Sequence, residues 1–150
     1  MPGNLHYRIE QPCAAPQQVI YDVLLDVERW PDWMPGVRAA TWERPGTTGT
    51  GVGGIRRFGM PGLTVREEIV DGEPPHHQSY ILLSGMPVKT YRADVYFDDR
   101  PSGSLITWEA TFDSRIPGLG ALVRVVARSG IAKTAAALAR EAERQAHAKG

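Results

Sequence analysis

Cysteine is nearly absent from this chain of 150 residues, in which Cys13 stands alone. An internal disulfide is therefore excluded, and a reducing compartment such as the cytoplasm is the expected location. The first eleven residues are polar and contain no apolar core of the kind that a secretory signal needs. No apolar run is long enough to span a bilayer, so we expect no integral membrane association.

Net charge is also absent, because 17 acidic and 17 basic side chains balance. Nucleic-acid-binding domains carry a clustered basic excess, and acidic lipid headgroups attract clusters of lysine and arginine. The balance therefore predicts no nucleic-acid partner and no polybasic membrane patch. A chain of this length forms one domain and buries roughly 70% of its unfolded surface, so its stability requires no metal.

Motifs for metal, phosphate and nucleophilic chemistry are missing as well. His76 and His77 are adjacent, and because neighbouring residues on a strand face opposite ways, the two side chains do not form a shared metal site. Residues 51–54 are rich in glycine but lack the spacing and the lysine of a phosphate loop. No Gly-x-Ser-x-Gly elbow occurs, and Cys13 has no evident histidine partner, which favours an inert, packed thiol. We therefore expect neither a cofactor nor a metal.

A regular order of secondary-structure signals is present instead. Apolar and polar residues alternate over residues 5–10, which predicts a strand, and an amphipathic pattern from Pro16 to Asp26 predicts a helix. Two prolines and two tryptophans within residues 27–37 allow a short helical turn, which fixes a helix pair against the sheet or, alternatively, gates a ligand. Further strands separated by short turns are predicted at residues 39–43, 51–58, 64–71, 77–84, 90–98 and 104–113.

Residues 116–148 have the pattern of one long helix, with Pro117 suited to the first turn. Apolar and small residues at three- and four-residue spacing predict its inward stripe: Leu119, Leu122, Val123, Val126, Ile131, Thr134, Leu138 and Ala142. The stripe is bulky at its start and small in its middle. Small residues either allow close contact with a sheet or leave an open space, and the helix by itself favours close contact.

Turn lengths predict the register of the last three strands. The final four-residue loop pairs Val95 with Trp108, and the loop before it pairs Leu82 with Tyr91. The same registers give the further pairs Asp99 with Ser104, Phe97 with Ile106, Ala93 with Ala110, and Tyr80 with Ala93. The predicted inner face therefore carries Tyr80, Leu82, Tyr91, Ala93, Val95, Phe97, Ile106, Trp108, Ala110 and Phe112.

Three polar positions are candidates for chemistry. Glu67 falls on an otherwise apolar strand face, where burial would raise the pKa of its carboxyl and suit it to act as an acid or base. The alternative for Glu67 is an ion pair with Arg56 or Arg57, and either arginine could face inward. The Tyr80 hydroxyl either orients a ligand carbonyl or reaches water at the rim of the sheet, and Trp108 belongs to the core and to the wall of any cavity.

The order of one strand, two short helices, about six strands and one long helix resembles the helix-grip fold of the START and Bet v 1 (SRPBCC) superfamily. Within it, Trp30-Pro31-Asp32-Trp33-Met34-Pro35-Gly36-Val37, Val65-Arg66-Glu67-Glu68-Ile69 and Ile106-Thr107-Trp108 resemble the polyketide cyclase/dehydrase-like branch. The resemblance covers nearly the whole chain and implies a single α+β domain over residues 1–150. In that fold a curved antiparallel sheet of six to seven strands wraps around the C-terminal helix.

The resemblance also implies a deep cavity between sheet and helix. The expected function is binding of an apolar or amphipathic small molecule there, such as a lipid, polyketide, quinone or sterol-like compound. A cofactor-independent cyclase/aromatase or dehydratase, with Glu67 as the candidate catalytic residue, and a protein-interaction module of the co-chaperone type are the alternatives. We expect a monomer or weak homodimer. The residues expected to line the cavity are Glu67, Tyr80, Leu82, Tyr91, Val95, Trp108, Ala110, Thr134 and Leu138.

Overall fold

The computed structural model describes residues 3–149. Within these residues the elements, in chain order, are β1 (Leu5–Cys13), α1 (Gln17–Leu25), a 3₁₀ helix (Val27–Asp32), β2 (Ala39–Arg44), β3 (Ile55–Met60), β4 (Leu63–Glu73), β5 (His77–Ser84), β6 (Val88–Arg100), β7 (Gly103–Ser114) and α2 (Gly120–Lys149).

The seven strands form one antiparallel sheet in the order β1-β7-β6-β5-β4-β3-β2. Each strand pairs with its neighbour in sequence except β1, which joins the far edge beside β7. The long helix α2 packs on β1 and β7 and against α1. A sheet with one apolar face needs such a cover, and the arrangement confirms the α+β helix-grip fold. No helix among the described residues is long and apolar enough to cross a membrane.

The last hairpin has the predicted register, with Val95 opposite Trp108 and Phe97 opposite Ile106. The prediction for β3 is wrong at its start, because the strand begins at Ile55 rather than at residue 51. Gly51 and Gly53 have φ angles of +80° and +86°. These left-handed angles suit glycine and place both residues in a turn before the strand.

The long helix differs from its prediction in two ways. It begins at Gly120, because Gly118 has a left-handed φ of +78° that interrupts a helix, so Pro117 lies outside it. The prediction that Leu122 and Val126 face inward is also wrong, since they are 57% and 64% exposed. The residues that pack on the core are Val123, Ala127 and Ile131, followed by Ala135, Leu138, Ala139 and Ala142.

The hairpin between β5 and β6 opens near its turn. Tyr80 lies opposite Ala93 as predicted, but the pairing ends one residue later. Beyond that point the end of β5 stays with β4, where Ser84 lies opposite Arg66, and the start of β6 stays with β7. The predicted pairing of Leu82 with Tyr91 is therefore wrong, because the two strand ends follow different neighbours.

Trp30 joins three elements. It is 2% exposed, its Nε1 donates to the Leu24 carbonyl oxygen of α1 at 3.1 Å, and its ring centroid lies 5.3 Å from that of Phe58 on β3. An indole that is hydrogen-bonded and packed in this way fixes the 3₁₀ helix against α1 and the sheet.

Candidate functional site

A buried arginine organises the polar part of the inner sheet face. Arg56 on β3 is 1% exposed and lies directly opposite Glu67 on β4. Its Nε donates to Glu67 Oε1 at 2.8 Å, and its Nη1 donates to Gln78 Oε1 at 2.9 Å. A buried charge requires a partner and hydrogen bonds, and Arg56 has both.

Two aromatic rings hold the same guanidinium. The Cζ atom of Arg56 lies 4.5 Å from the ring centroid of Tyr80 and 4.9 Å from that of Trp30. Cation–π attraction of this kind is strongest where water is excluded. Arg56 is thus the arginine that faces inward, whereas Arg57 is exposed.

Glu67 is buried and has only one of its two carboxylate oxygens paired. It is 9% exposed, and its Oε2 has no hydrogen-bond partner among the described residues, whereas Oε1 is bound by Arg56. Burial raises the pKa of the Glu67 carboxyl, and the charge and hydrogen bond of Arg56 offset part of that rise. One carboxylate oxygen therefore remains able to accept a hydrogen bond or a proton.

Three buried tyrosine hydroxyls, those of Tyr7, Tyr80 and Tyr91, are close enough to Glu67 to be affected by its charge. The Tyr80 hydroxyl accepts from Trp108 Nε1 at 3.1 Å, and the hydroxyls of Tyr7 and Tyr91 hydrogen-bond to each other. Burial raises the pKa of all three phenols, and the nearby charge of Glu67 adds to that rise. They therefore stay protonated near neutral pH and act as donors.

Two of the three hydroxyl protons have no acceptor among the described residues. Among the described residues the Tyr80 hydroxyl has no acceptor for its own proton, because its contact with Trp108 uses its oxygen. Tyr7 and Tyr91 share one hydrogen bond between two O–H groups, so one of their protons is also free. The three hydroxyls can therefore donate to a ligand oxygen from two places.

A cavity of about 240 Å³ opens where β5 and β6 separate. Its lining includes Leu82, Ser84, Met86, Val88, Tyr91 and Arg115. Tyr91 connects this cavity to the hydroxyls of Tyr7 and Tyr80, since it lines the cavity and its hydroxyl binds that of Tyr7. A second depression, of about 430 Å³, lies at the same end of the molecule, between the start of β1 and the segment before α2.

The structure distributes the predicted cavity residues over three environments. Leu82 and Tyr91 line the cavity at the hairpin, and Glu67 and Tyr80 belong to the polar cluster beside it. Trp108 contacts Tyr80 from within the core. The others lie elsewhere: Val95, Ala110 and Leu138 are buried in the core, and the Thr134 hydroxyl donates to the Gly130 carbonyl oxygen within α2.

Four residues that contact Glu67, Tyr80 or Tyr91 directly or through Arg56 were not among the residues predicted to line the cavity: Tyr7, Trp30, Arg56 and Gln78. Tyr7 and Gln78 could have been found from strand alternation, because Tyr7 shares the phase of Leu5 and Ile9 and Gln78 shares that of Tyr80. The role of Trp30 depends on tertiary packing that no local pattern reports.

Polar groups on the outer face of the sheet form a separate cluster. Ser79 Oγ and Asp94 Oδ1 both contact Nε2 of His77. A catalytic triad places the acid and the hydroxyl on opposite nitrogens of the ring, so these three residues do not form one. Asp71, Glu73 and His77 also place one ligand atom each within 4.8 Å of one another, an arrangement common at exposed acidic surfaces.

Comparison with known proteins gives a family and a set of similar folds. The family model described as polyketide cyclase/dehydrase and lipid transport matches residues 5–143. No curated protein matches the chain in sequence.

Several solved structures share the fold at low identity. A START superfamily protein from Mycobacterium smegmatis has a TM-score of 0.79 and 15% identity, and the match covers 98% of this chain and 100% of that one. The Zhui aromatase/cyclase from Streptomyces sp. R1128 has a TM-score of 0.78 and 18% identity, over 97% of both chains. The protein TTHA0849 from Thermus thermophilus has a TM-score of 0.69 and 20% identity, over 97% of this chain and 99% of that one.

Proposed function

The chain belongs to the polyketide cyclase/dehydrase and lipid transport family, and on this premise we propose that it binds an apolar or amphipathic small molecule that carries a carbonyl group. The ligand enters between the ends of β5 and β6 and lies in the cavity at that hairpin. Its oxygen accepts a hydrogen bond from the tyrosine cluster formed by Tyr7, Tyr80 and Tyr91.

The observation that carries this proposal is the pair of O–H protons of Tyr7, Tyr80 and Tyr91 that have no acceptor among the described residues. Small-molecule sites are typically apolar with a few converging polar groups. Leu82, Val88 and Tyr91 supply apolar wall beside the polar residues Ser84, Lys89, Thr90 and Arg115, and the protonated phenols supply donors. A carbonyl oxygen accepts from such donors, whereas a ligand without oxygen leaves them unpaired.

The packing of α2 is consistent with a ligand at the hairpin end of the sheet. In its second half Ala135, Leu138 and Ala139 are buried against the core and leave little space. In its first half the helix contributes partly buried side chains at Val123, Ala127 and similar positions. The ligand is therefore proposed to lie at the hairpin end, which differs from a site beneath the middle of the helix.

A pair of matched ligands tests the proposal. Menadione, a bicyclic quinone, presents carbonyl oxygens, and 2-methylnaphthalene has a similar shape without them. We expect calorimetry to show binding of menadione and much weaker binding of 2-methylnaphthalene. Because a neutral hydrogen bond contributes about 0.5–1.5 kcal/mol, Tyr80→Phe or Tyr91→Phe should weaken menadione binding by roughly 2- to 12-fold.

The control is Tyr96→Phe, which removes a phenol hydroxyl from the outer face, where the Tyr96 ring stacks on His77. It should leave menadione binding unchanged. Equal binding of both ligands, or equal effects of all three tyrosine variants, would contradict carbonyl recognition by the cluster.

A second candidate function is cyclase-type catalysis, favoured by the position of Glu67. Its charge acts on the phenols of Tyr7, Tyr80 and Tyr91, which can stabilise a developing enolate oxygen. Burial raises the pKa of the Glu67 carboxyl. A carboxylate so placed can remove a proton from the carbon next to a ketone while a tyrosine O–H binds the oxygen.

Deuterium exchange separates this candidate from binding alone. If Glu67 acts as a base, the protein should accelerate exchange of the ring protons beside the carbonyl of α-tetralone in D₂O, followed by NMR. Glu67→Gln should abolish the acceleration, whereas Glu68→Gln, on the outer side near Arg44, should preserve it. An unaccelerated exchange with the parent protein rules out this chemistry and leaves the binding proposal intact.

A further inference from the structure

All the large apolar side chains that are exposed in residues 3–149 belong to two turns and one helix start. Three lie at or beside the β3–β4 and β5–β6 turns, at 37–41% exposure: Leu63, Leu83 and Met86. Five lie on the segment that leads into α2 and on its first turns, at 39–64% exposure: Ile116, Leu119, Leu122, Val125 and Val126. We call these eight residues the apolar rim.

Backbone contacts bring the parts of the apolar rim together at one end of the molecule. Gly85 in the β5–β6 turn packs so closely on the backbone of Thr64 and Val65 that a side chain at Gly85 has no room. On the other side of the same turn, the Arg115 amide donates to the Pro87 carbonyl oxygen at 2.9 Å. The turns and the entry to α2 are thus neighbours.

The apolar rim is accompanied by positive charge. Residues 114–140 contain five basic residues and no aspartate or glutamate, an excess that the balanced total conceals. Arg128 follows Val125 by three residues, and Lys133 follows Val126 by seven, so both cations lie close to the apolar side of the helix. Neither cation forms an ion pair within the described part of the chain.

We propose that the apolar rim docks on the surface of a lipid bilayer that contains anionic phospholipids. Clusters of exposed large apolar side chains mark interaction sites. Apolar side chains with flanking lysine and arginine and no acidic residue are the composition that inserts shallowly into a headgroup layer. The charge complements an anionic surface, which favours a bilayer over a second copy of this chain, whose rim carries the same positive charge.

Two residues of the apolar rim, Leu83 and Met86, also line the cavity at the hairpin, together with Arg115. A molecule dissolved in the bilayer would therefore reach the cavity without crossing water. This last step rests on the proposed ligand-binding function, whereas docking itself requires no ligand in the cavity.

Vesicle sedimentation tests the docking. We expect the protein to sediment with vesicles of phosphatidylcholine containing 30% phosphatidylglycerol, to bind pure phosphatidylcholine far more weakly, and to be released as salt is raised. The variant Leu122→Asp/Val126→Asp should lose at least ten-fold in binding. Because a cation near an anionic surface contributes about 1 kcal/mol, Arg128→Gln/Lys133→Gln should lose about 30-fold.

Two further variants locate the surface. Met86→Asp, in a separate turn, should also weaken vesicle binding if the apolar rim docks as one surface. Arg100→Gln removes a cation from the β6–β7 turn, at the opposite end of β6, and should have no effect. All substituted side chains are exposed, so circular dichroism should report unchanged melting temperatures.

The outcomes separate the possibilities. Binding that is independent of anionic lipid, or that survives Leu122→Asp/Val126→Asp, overturns the proposal. If vesicles do not bind but sedimentation equilibrium shows a dimer that this variant dissociates, the rim is a subunit interface and the proposal is likewise overturned. Menadione binding measured without vesicles is unaffected by either result, so the ligand-binding proposal is judged separately.

Discussion

Replacing Arg56 by methionine removes a buried positive charge and leaves the Glu67 carboxylate without its partner. Arg56 is 1% exposed and the side chain of Glu67 is 11% exposed, and the two are joined at 2.8 Å. Glu67→Met produces the opposite defect, a buried guanidinium whose carboxylate is missing. The double variant removes both charges and fills the space with side chains of similar length.

The magnitude follows from the burial of this pair. Breaking a buried ion pair by removing one partner costs about 3–5 kcal/mol, whereas exchanging both partners for apolar residues is often neutral. In a chain of this size that cost lowers the melting temperature by roughly 6–20 °C. Arg56→Met also removes the hydrogen bond to Gln78 and the contacts with Trp30 and Tyr80. Those losses occur in the single and the double variant alike and cancel in a double-mutant cycle.

Urea unfolding followed by tryptophan fluorescence and circular dichroism gives the four free energies of the cycle. We expect a coupling energy above about 2 kcal/mol, with the double variant more stable than at least one single variant. The control is a cycle on Glu43 and Arg66, an exposed pair joined by two hydrogen bonds, whose coupling should be several-fold smaller. Equal coupling in both cycles would refute the claim that burial makes the Arg56–Glu67 pair structurally critical.

Further predictions concern acid stability and the long helix. Burial alone would raise the pKa of the Asp94 carboxyl, but hydrogen bonds from Ser79 and His77 and the charge of Arg92 outweigh it and hold that pKa below 3.8. The resulting stability is present above pH 3.8 and is lost as pH falls through the lower folded pKa. Asp94→Asn should therefore flatten the acid limb of a stability–pH curve. Ala135→Pro should lower the free energy of unfolding by about 3 kcal/mol or more, because proline removes a backbone hydrogen bond in the interior of α2, where Ala135 is fully buried. A variant that melts like the parent would contradict the role of α2 as the cover of the sheet. Gly130→Ala, where an added methyl meets no atom within 4 Å, should instead stabilise by about 0.5–1 kcal/mol in the same urea assay.

The sequence predicted the fold where local and global signals coincide. The β6–β7 register was predictable because one four-residue turn and the apolar alternation of both strands require the same pairs, including Val95 with Trp108. The β5–β6 hairpin shows the limit of this reasoning. Its turn suggested continuous pairing of β5 with β6 up to the loop. Instead, Ser84 pairs only with β4 and Val88 only with β7, and this separation of the two strand ends depends on the assembled sheet.

The long helix was predicted correctly in existence and wrongly in its first turns. Periodicity placed Leu122 and Val126 on the inward stripe, yet they are exposed, because the sheet does not cover that side of α2. The candidate site divides in the same way. Glu67 stood out as a charge on an apolar strand face, whereas the choice between Arg56 and Arg57 depended on the β3–β4 register, which places Arg56 opposite Glu67.

The central claim is that the tyrosine cluster receives the oxygen of a ligand that enters beside the β5–β6 turn. A crystal structure of the protein saturated with menadione tests it most directly. We expect the quinone ring to contact Leu82 and Val88, with one carbonyl oxygen about 2.5–3.0 Å from the hydroxyl of Tyr80 or Tyr91. Menadione bound on the outer face, or bound inside with both carbonyl oxygens far from these hydroxyls, would contradict the account.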